Sequence, residues 1–344
     1  MNKIESAVIK YAIDLERYKN GQADEIIVLL DKANDEISKF VKQTKGVYTK
    51  ARYKEIAKKI KEVSARLRDE IEEGTDLDGI IDYELNKQKR LFGIIKPEIP
   101  KKNIQFLYPS REQVKTAALF KPIDTKYGMT YKSYLDGIET GLYNLWDSAV
   151  RTGYLTGQTT QQIVRDVVGT ASKIGQLANP GAMHSFRNSV YGNTRTVLQS
   201  FANETMKRVY ELNDDLFGSE AEDGVTYKYE YLATLDSRTC LVCANSARLY
   251  KTLAECPIIP QHRGCRCIIV PYFNIMGDTR SSKNGQVSVN ISFEEWLKEQ
   301  DTETQKDVLG VTRYNMFKSG TRISQFVDNG VKLTLKQLNE RLSA

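Results

Sequence analysis

Proline is missing from the first 96 residues of the chain. No imino acid therefore interrupts a helix there. Cysteine is scarce and odd in number: five in 344 residues, all between Cys240 and Cys267. An odd, tightly grouped set does not suit a disulfide framework and points to a reducing cytoplasm. Long hydrophobic runs are missing too. The longest early run, Ile26-Ile27-Val28-Leu29-Leu30, is far too short to span a bilayer, and no membrane contact is expected. The segment Met1–Asn20 sets Glu5, Lys10, Asp14 and Glu16 among its apolar positions, so no secretory signal is expected. Internal repeats and low-complexity segments are absent as well.

A chain of 344 residues exceeds the usual size of a single core, so two or three domains are expected. There are 50 Lys and Arg against 44 Asp and Glu, a formal charge of +6. That mild excess permits contact with nucleic acid without requiring it.

Apolar residues in 1–96 recur at helical spacing. Ile4, Ala7, Val8, Tyr11 and Leu15 form one stripe; Ile26, Leu29, Leu30, Ala33, Ile37, Phe40 and Val41 a second; Ile56, Ile60, Val63 and Leu67 a third. Breaks are expected near Asn20-Gly21, Lys45-Gly46 and Gly74-Thr75. The segment reads as an N-terminal helical bundle or arm. Residues 97–124 hold prolines 97, 100, 109 and 122 and read as a linker with one short helix around Ser110–Leu119. Residues 125–222 return to helix. One helix runs from about Tyr131 to Gly153, Thr159 and Gln162 form a capping box, and a long helix carries Val190, Val197, Leu198, Phe201, Met206 and Val209 on one face. Residues 223–275 change period. Val225, Tyr227, Tyr229 and Tyr231 alternate with polar neighbours as a half-buried strand, and a second strand spans 267–273. Residues 276–290 read as a polar loop within a final segment, 276–344, that ends in a helical tail. The fold class expected is mainly α with a small β-containing, metal-stapled C-terminal subdomain, that is α+β.

All the thiols fall in DSRTCLVCANSARLYKTLAECPIIPQHRGCRC, residues 236–267. Cys240 and Cys243 are three apart, and so are His262 and Cys265, with Cys267 two further on. Two such steps about 18 residues apart fit a tetrahedral zinc site. Thiolate and imidazole donors disfavour calcium and magnesium. The first-choice ligands are Cys240, Cys243, His262 and Cys265, with Cys267 as the alternate, since an extended Cys265-Arg266-Cys267 turns both thiols to one side. Cys256 breaks the pattern and is read as a bystander. Plainer readings stand beside this one: buried reduced thiols acting as small hydrophobes, a redox pair, for which the sequence lacks an exposed CxxC at a helix start, or a cysteine nucleophile paired with His262. A zinc deaminase is excluded, because His184 is followed by Ser185-Phe186 rather than x-Glu. Arg187, Arg195, Arg238 and Arg266 are candidates for phosphate or partner contact, against the plainer expectation that such arginines pair with acidic neighbours.

The same run resembles the C-terminal signature of the Mu F-like, or phage head morphogenesis, family of minor head proteins. Asp236, Arg238, Thr239, Cys240, Cys243, Pro260, His262, Cys265, Arg266 and Cys267 match it position by position. Thr194-Arg195-Thr196 resembles the family's Arg-Thr helix. The tail is similar at Phe293, Trp296, Leu297, Gln305, Leu309 and Gly310. The likeness covers about 125–344; the N-terminal helices are similar only in character. It implies a structural minor component of a tailed-phage head, associated with the portal protein, acting in head assembly and in DNA packaging or ejection. Implied contacts are the portal, the major capsid or scaffolding protein, and packaged double-stranded DNA bound non-specifically. The implied location is the head interior near the portal, after assembly in host cytoplasm. The chain ends about 70 residues beyond the cysteines, so an appended enzymatic domain is not expected. The competing expectation is a virion-borne zinc-dependent hydrolase or nuclease, with Asp236 or Glu255 as the base.

Overall fold

The structure is a computed structural model that describes residues 3–44, 49–99, 103–123, 128–171, 177–221, 223–273, 279–283, 285–288 and 291–343. Three helices come first: α1 (Lys3–Gln43), α2 (Lys50–Gly74) and α3 (Leu77–Ile95). α4 (Arg111–Phe120), α5 (Tyr131–Leu155) and α6 (Thr160–Val168) follow, then the short pair β1 (Thr170–Ala171) and β2 (Leu177–Asn179), then α7 (Gly181–Leu212). The sheet region holds β3 (Ser219–Glu220), β4 (Thr226–Tyr227), β5 (Tyr229–Leu232), α8 (Leu241–Ser246), β6 (Leu249–Tyr250) and β7 (Ile268–Pro271). The tail holds β8 (Thr279–Ser282), β9 (Gly285–Ser288), α9 (Phe293–Lys298), α10 (Thr302–Leu309), α11 (Val311–Lys318), β10 (Val327–Asp328), β11 (Val331–Lys332) and α12 (Leu335–Ser343). The fold is mainly α with a small strand-containing C-terminal region, an α+β arrangement.

The break expected at Asn20-Gly21 does not occur. α1 runs through it as 41 residues. Leu15, Lys19, Ala23, Ile26, Leu30, Ala33, Ile37 and Val41 are all buried, and their steps of three and four keep one unbroken stripe. Packing along that stripe outweighs the ~1 kcal/mol cost of a helical glycine. The break at Gly74-Thr75 does occur, where the Thr75 side chain bonds the Ile71 carbonyl at 2.7 Å. The one expected at Lys45-Gly46 lies outside the described residues. Capping boxes at Ser110, Thr130 and Thr159 start α4, α5 and α6.

α7 is the axis of the molecule. It packs against α1, α3, α4, α5 and α6. Its buried residues run round most of its circumference, from Val190 and Thr194 through Val197, Phe201 and Met206 to Tyr210, as a helix covered on several sides must. Polar ties fix the packing. Tyr134 and Thr194 hydroxyls meet at 2.7 Å, the Trp146 indole donates to Asn34 at 3.2 Å, and the Tyr210 hydroxyl donates to the Ile269 carbonyl at 3.2 Å. One core cluster contains Leu15 of α1 and Phe273 beyond β7, so helices from both halves of the chain share it.

The expected strand over 225–233 is divided. β4 turns to pair with β3, and after Lys228 β5 becomes the centre of a three-stranded antiparallel sheet ordered β6-β5-β7. Tyr229 lies opposite Pro271 and Tyr231 opposite Ile269. Tyr229 and Tyr231 are buried, as their alternation requires. The polar segment 276–290 holds, in its described part, the hairpin β8-β9 rather than a loop. A second core packs Leu235, Leu241 and Ala244 against Phe293, Trp296, Leu297, Leu309 and Phe326 of the tail.

Candidate metal centre

Cys240 is the N-cap of α8, and its sulfur accepts from the Cys243 backbone N–H at 3.4 Å. The Cys-x-x-Cys pair therefore does begin a helix, contrary to expectation, though Cys243 is buried and Cys240 only half-exposed. The other donors come from the turn before β7. Gly264 sits at φ +74°, a conformation that favours glycine, and the Cys265 N–H closes the turn onto the His262 carbonyl at 3.1 Å.

Cys243 is the meeting point. Its sulfur is 3.2 Å from His262 Nε2 and 3.8 Å from Cys265 Sγ. Two groups of three donors, Cys240–Cys243–His262 and Cys243–Cys265–Cys267, each lie within 4.8 Å, and Cys243 belongs to both. The five donors thus form a cluster that could hold a metal ion. Cys256 lies outside it; its thiol points to the Thr252 carbonyl at 3.6 Å. His262 Nδ1 is 2.8 Å from the Arg263 carbonyl, which can only accept. Nδ1 therefore carries a proton, and Nε2 is the nitrogen that faces the sulfurs.

The donors shift one another strongly. The hydrogen bond from the Cys243 thiol, helped by His262, holds the Cys240 thiol down to about 4 against its burial. His262 is pushed up to about 9, chiefly by its bond to Cys240. Cys243 moves far up because it donates toward Cys240, Cys265 and Cys267, and Cys265 moves down because it accepts from Cys243. Without an ion, the sulfurs must share protons to avoid packing several negative charges together. Cys256, merely buried, is pushed up to about 12.

Outer contacts hold this geometry. The Tyr231 hydroxyl donates to Cys243 Sγ at 3.9 Å and accepts from the Gln261 amide at 2.7 Å. The Gly264 N–H donates to Thr196 Oγ1 on α7 at 3.2 Å. Arg263 reaches the Asn188 carbonyl at 2.6 Å, and the bare face of Gly192 makes room for it: a Cβ there would stand 2.2 Å from Arg263 Nε. Sequence reasoning put Tyr231 on a buried face but gave no sign that it would reach a sulfur. Thr196 was marked only through the likeness of Thr194-Arg195-Thr196, and Gln261 and Arg263 carried no signal.

Most of the candidate arginines are paired. Arg187 meets Asp31 at 2.8 Å, Arg195 pairs with Glu16, and Arg266 grips Asp236 with two bonds of 2.7 and 2.8 Å. Arg238 is 80% exposed, with Asp236 at 3.9 Å. Asp236 and Glu255 belong to neither donor group. Asp236 is held by Arg266, and Glu255 accepts from the Lys251 backbone at 3.1 Å. Among the described residues no helix is long and apolar enough to cross a membrane. Comparison with models of protein families, with curated proteins and with solved structures found no match.

Proposed function

We propose that the cluster is a closed structural zinc site, and that the chain is a non-enzymatic minor head protein of a tailed phage. The zinc reading is carried by the spacing of the donors around Cys243. Tetrahedral zinc with Zn–S near 2.3 Å puts neighbouring sulfurs about 3.8 Å apart; Cys243 and Cys265 are 3.8 Å apart. Cys240 and His262 complete the first-choice set, and Cys267 remains the alternate for Cys265. The ion staples α8 to the turn before β7. The sheet it anchors has strands of two to four residues, too little to hold on its own.

The head-protein reading is supported by the Asp236-to-Cys267 motif and the matching tail positions. In that role the chain would associate with the portal protein, with the major capsid or scaffolding protein as further contacts, and act in head assembly and in DNA packaging or ejection. Packaged double-stranded DNA would be met through weak, salt-sensitive phosphate contacts. The hydrolase or nuclease alternative needs a free base beside an open metal position. It is less well supported, since Asp236 and Glu255 are both engaged elsewhere.

Mass spectrometry of the native protein, with melting before and after chelation, tests the first part. One zinc per chain and a lower Tm on chelation are expected; metal-free protein with an unchanged Tm refutes the site. Co-expression with the portal and head proteins of the same genome tests the second. Co-sedimentation with portal-containing heads is expected, and failure to bind either portal or heads overturns the role while leaving the zinc result standing.

A further inference from the structure

A cleft of about 650 Å³ lies where α1, α7 and the metal module meet. Its size falls in the range of small-ligand sites. Four arginines line it, Arg17, Arg195, Arg238 and Arg266, against one lining carboxylate, Glu16. Glu16 is already shared: one oxygen takes buried Lys19 and the other takes Arg195. Asp236 spends both oxygens on Arg266, and Asp14 stands 3.5 Å from Arg17. Five cations thus face three carboxylates, and the surplus lies in Arg17 and Arg238, whose side chains are 77% and 80% exposed. Arg195 adds a buried Nε with no hydrogen-bond partner. One wall is the Tyr191 ring, 5.9 Å from the Arg195 guanidinium.

We propose that this cleft binds a nucleotide, its phosphate held by Arg17 and Arg238 and its base laid on Tyr191. Guanidinium forks match phosphate oxygens, and an aromatic face accepts any base. The ligand is a free nucleotide or the phosphorylated end of a strand, which present the same chemistry. The site stands apart from the head-protein reading.

Calorimetric titration of the full chain at low salt tests it, with dTMP, a 5′-phosphorylated thymidine octamer and inorganic phosphate as probes. Nucleotide binding is expected to weaken about tenfold in Arg17→Ala and again in Arg238→Ala, the loss of one charge-assisted bond each. Tyr191→Leu is expected to weaken dTMP and leave inorganic phosphate unchanged. Metal content should stay constant in Arg17→Ala and Tyr191→Leu, which separates this site from the zinc reading. Tighter octamer than dTMP identifies a strand end, and equal binding a free nucleotide; both support the site. No binding of dTMP or octamer, phosphate binding as tight as dTMP, or indifference to all three variants overturns it.

Discussion

Cys243 and Cys256 are both buried thiols, yet they occupy opposite positions in the chemistry. Cys243 belongs to both donor groups, while Cys256 belongs to neither, and its thiol donates to the Thr252 carbonyl. Cys243→Ser is therefore expected to abolish metal binding whichever of Cys265 and Cys267 is the fourth ligand. Cys256→Ala is expected to keep the metal and cost about 1–2 kcal/mol, the usual effect of a small core truncation. Metal analysis of the two purified variants, with urea melts, checks the pair; metal retained in Cys243→Ser refutes the shared-ligand geometry. The donors themselves were legible in the sequence because knuckle spacing is a local property. The choice between Cys265 and Cys267 was not, because it depends on how the turn after Gly264 seats on α7, and α7 is more than 50 residues away in the chain.

At the scale of elements, periodicity revealed most helices, since each needs only one apolar stripe. It failed at Asn20-Gly21, where a local breaker signal competed with a stripe that continues in phase on both sides. It also missed the β8-β9 hairpin, whose strands are mostly polar, and the division of the strand at Lys228, where β5 pairs with the more distant β6 and β7. α8 is the element that joins two regions. One side presents Cys240 and Cys243 to the metal cluster, and the other presents Leu241 and Ala244 to the tail. Chelation is expected to loosen the tail first, seen as faster limited proteolysis within 291–343 while helices α1–α7 stay protected. Leu241→Ala should mimic the tail effect at a cost of about 2–5 kcal/mol without releasing metal. A tail that stays equally protected in both experiments rules out this coupling. The end of α7 has its own tie to the sheet. Asp214 accepts from Lys228 and from the Tyr229 hydroxyl at 2.6 Å. Burial pushes its carboxyl up, but these two bonds outweigh burial and hold it below the usual range. A carboxyl lowered in the folded state stabilises above its unfolded value of about 3.9, and the benefit is lost as pH falls through the folded value. The Tm gap between wild type and Asp214→Asn should be full at pH 6 and shrink steadily below about pH 4. A gap independent of pH contradicts the ionic tie.

For the molecule as a whole, the decisive fact is that α1 supplies part of the main core. Its stripe from Leu15 to Val41 is buried, and α1 packs against α2, α3, α6 and α7. The ties are polar as well as apolar: Asp31 to Arg187, Asn34 to Trp146, Glu16 to Arg195. An element that only docks on a partner can be removed with little harm to the rest; an element that covers the central helix cannot. Removing residues 1–44 would uncover the side of α7 that carries Arg187, Arg195 and Gln199 and would leave the buried Lys19–Glu16–Gln199 group without its α1 members. Losing the burial of several Leu and Ile side chains at about 1.5–3 kcal/mol each exceeds the whole stability of a typical domain. The shortened chain is accordingly expected to aggregate or to melt without cooperativity. A protein starting at residue 45 that melts sharply, stays monomeric and retains its metal would show instead that the N-terminal helix is dispensable to the fold. Its retained solubility would then leave α1 free for the proposed portal contact, and portal co-sedimentation of the shortened chain would decide whether that proposed contact needs it.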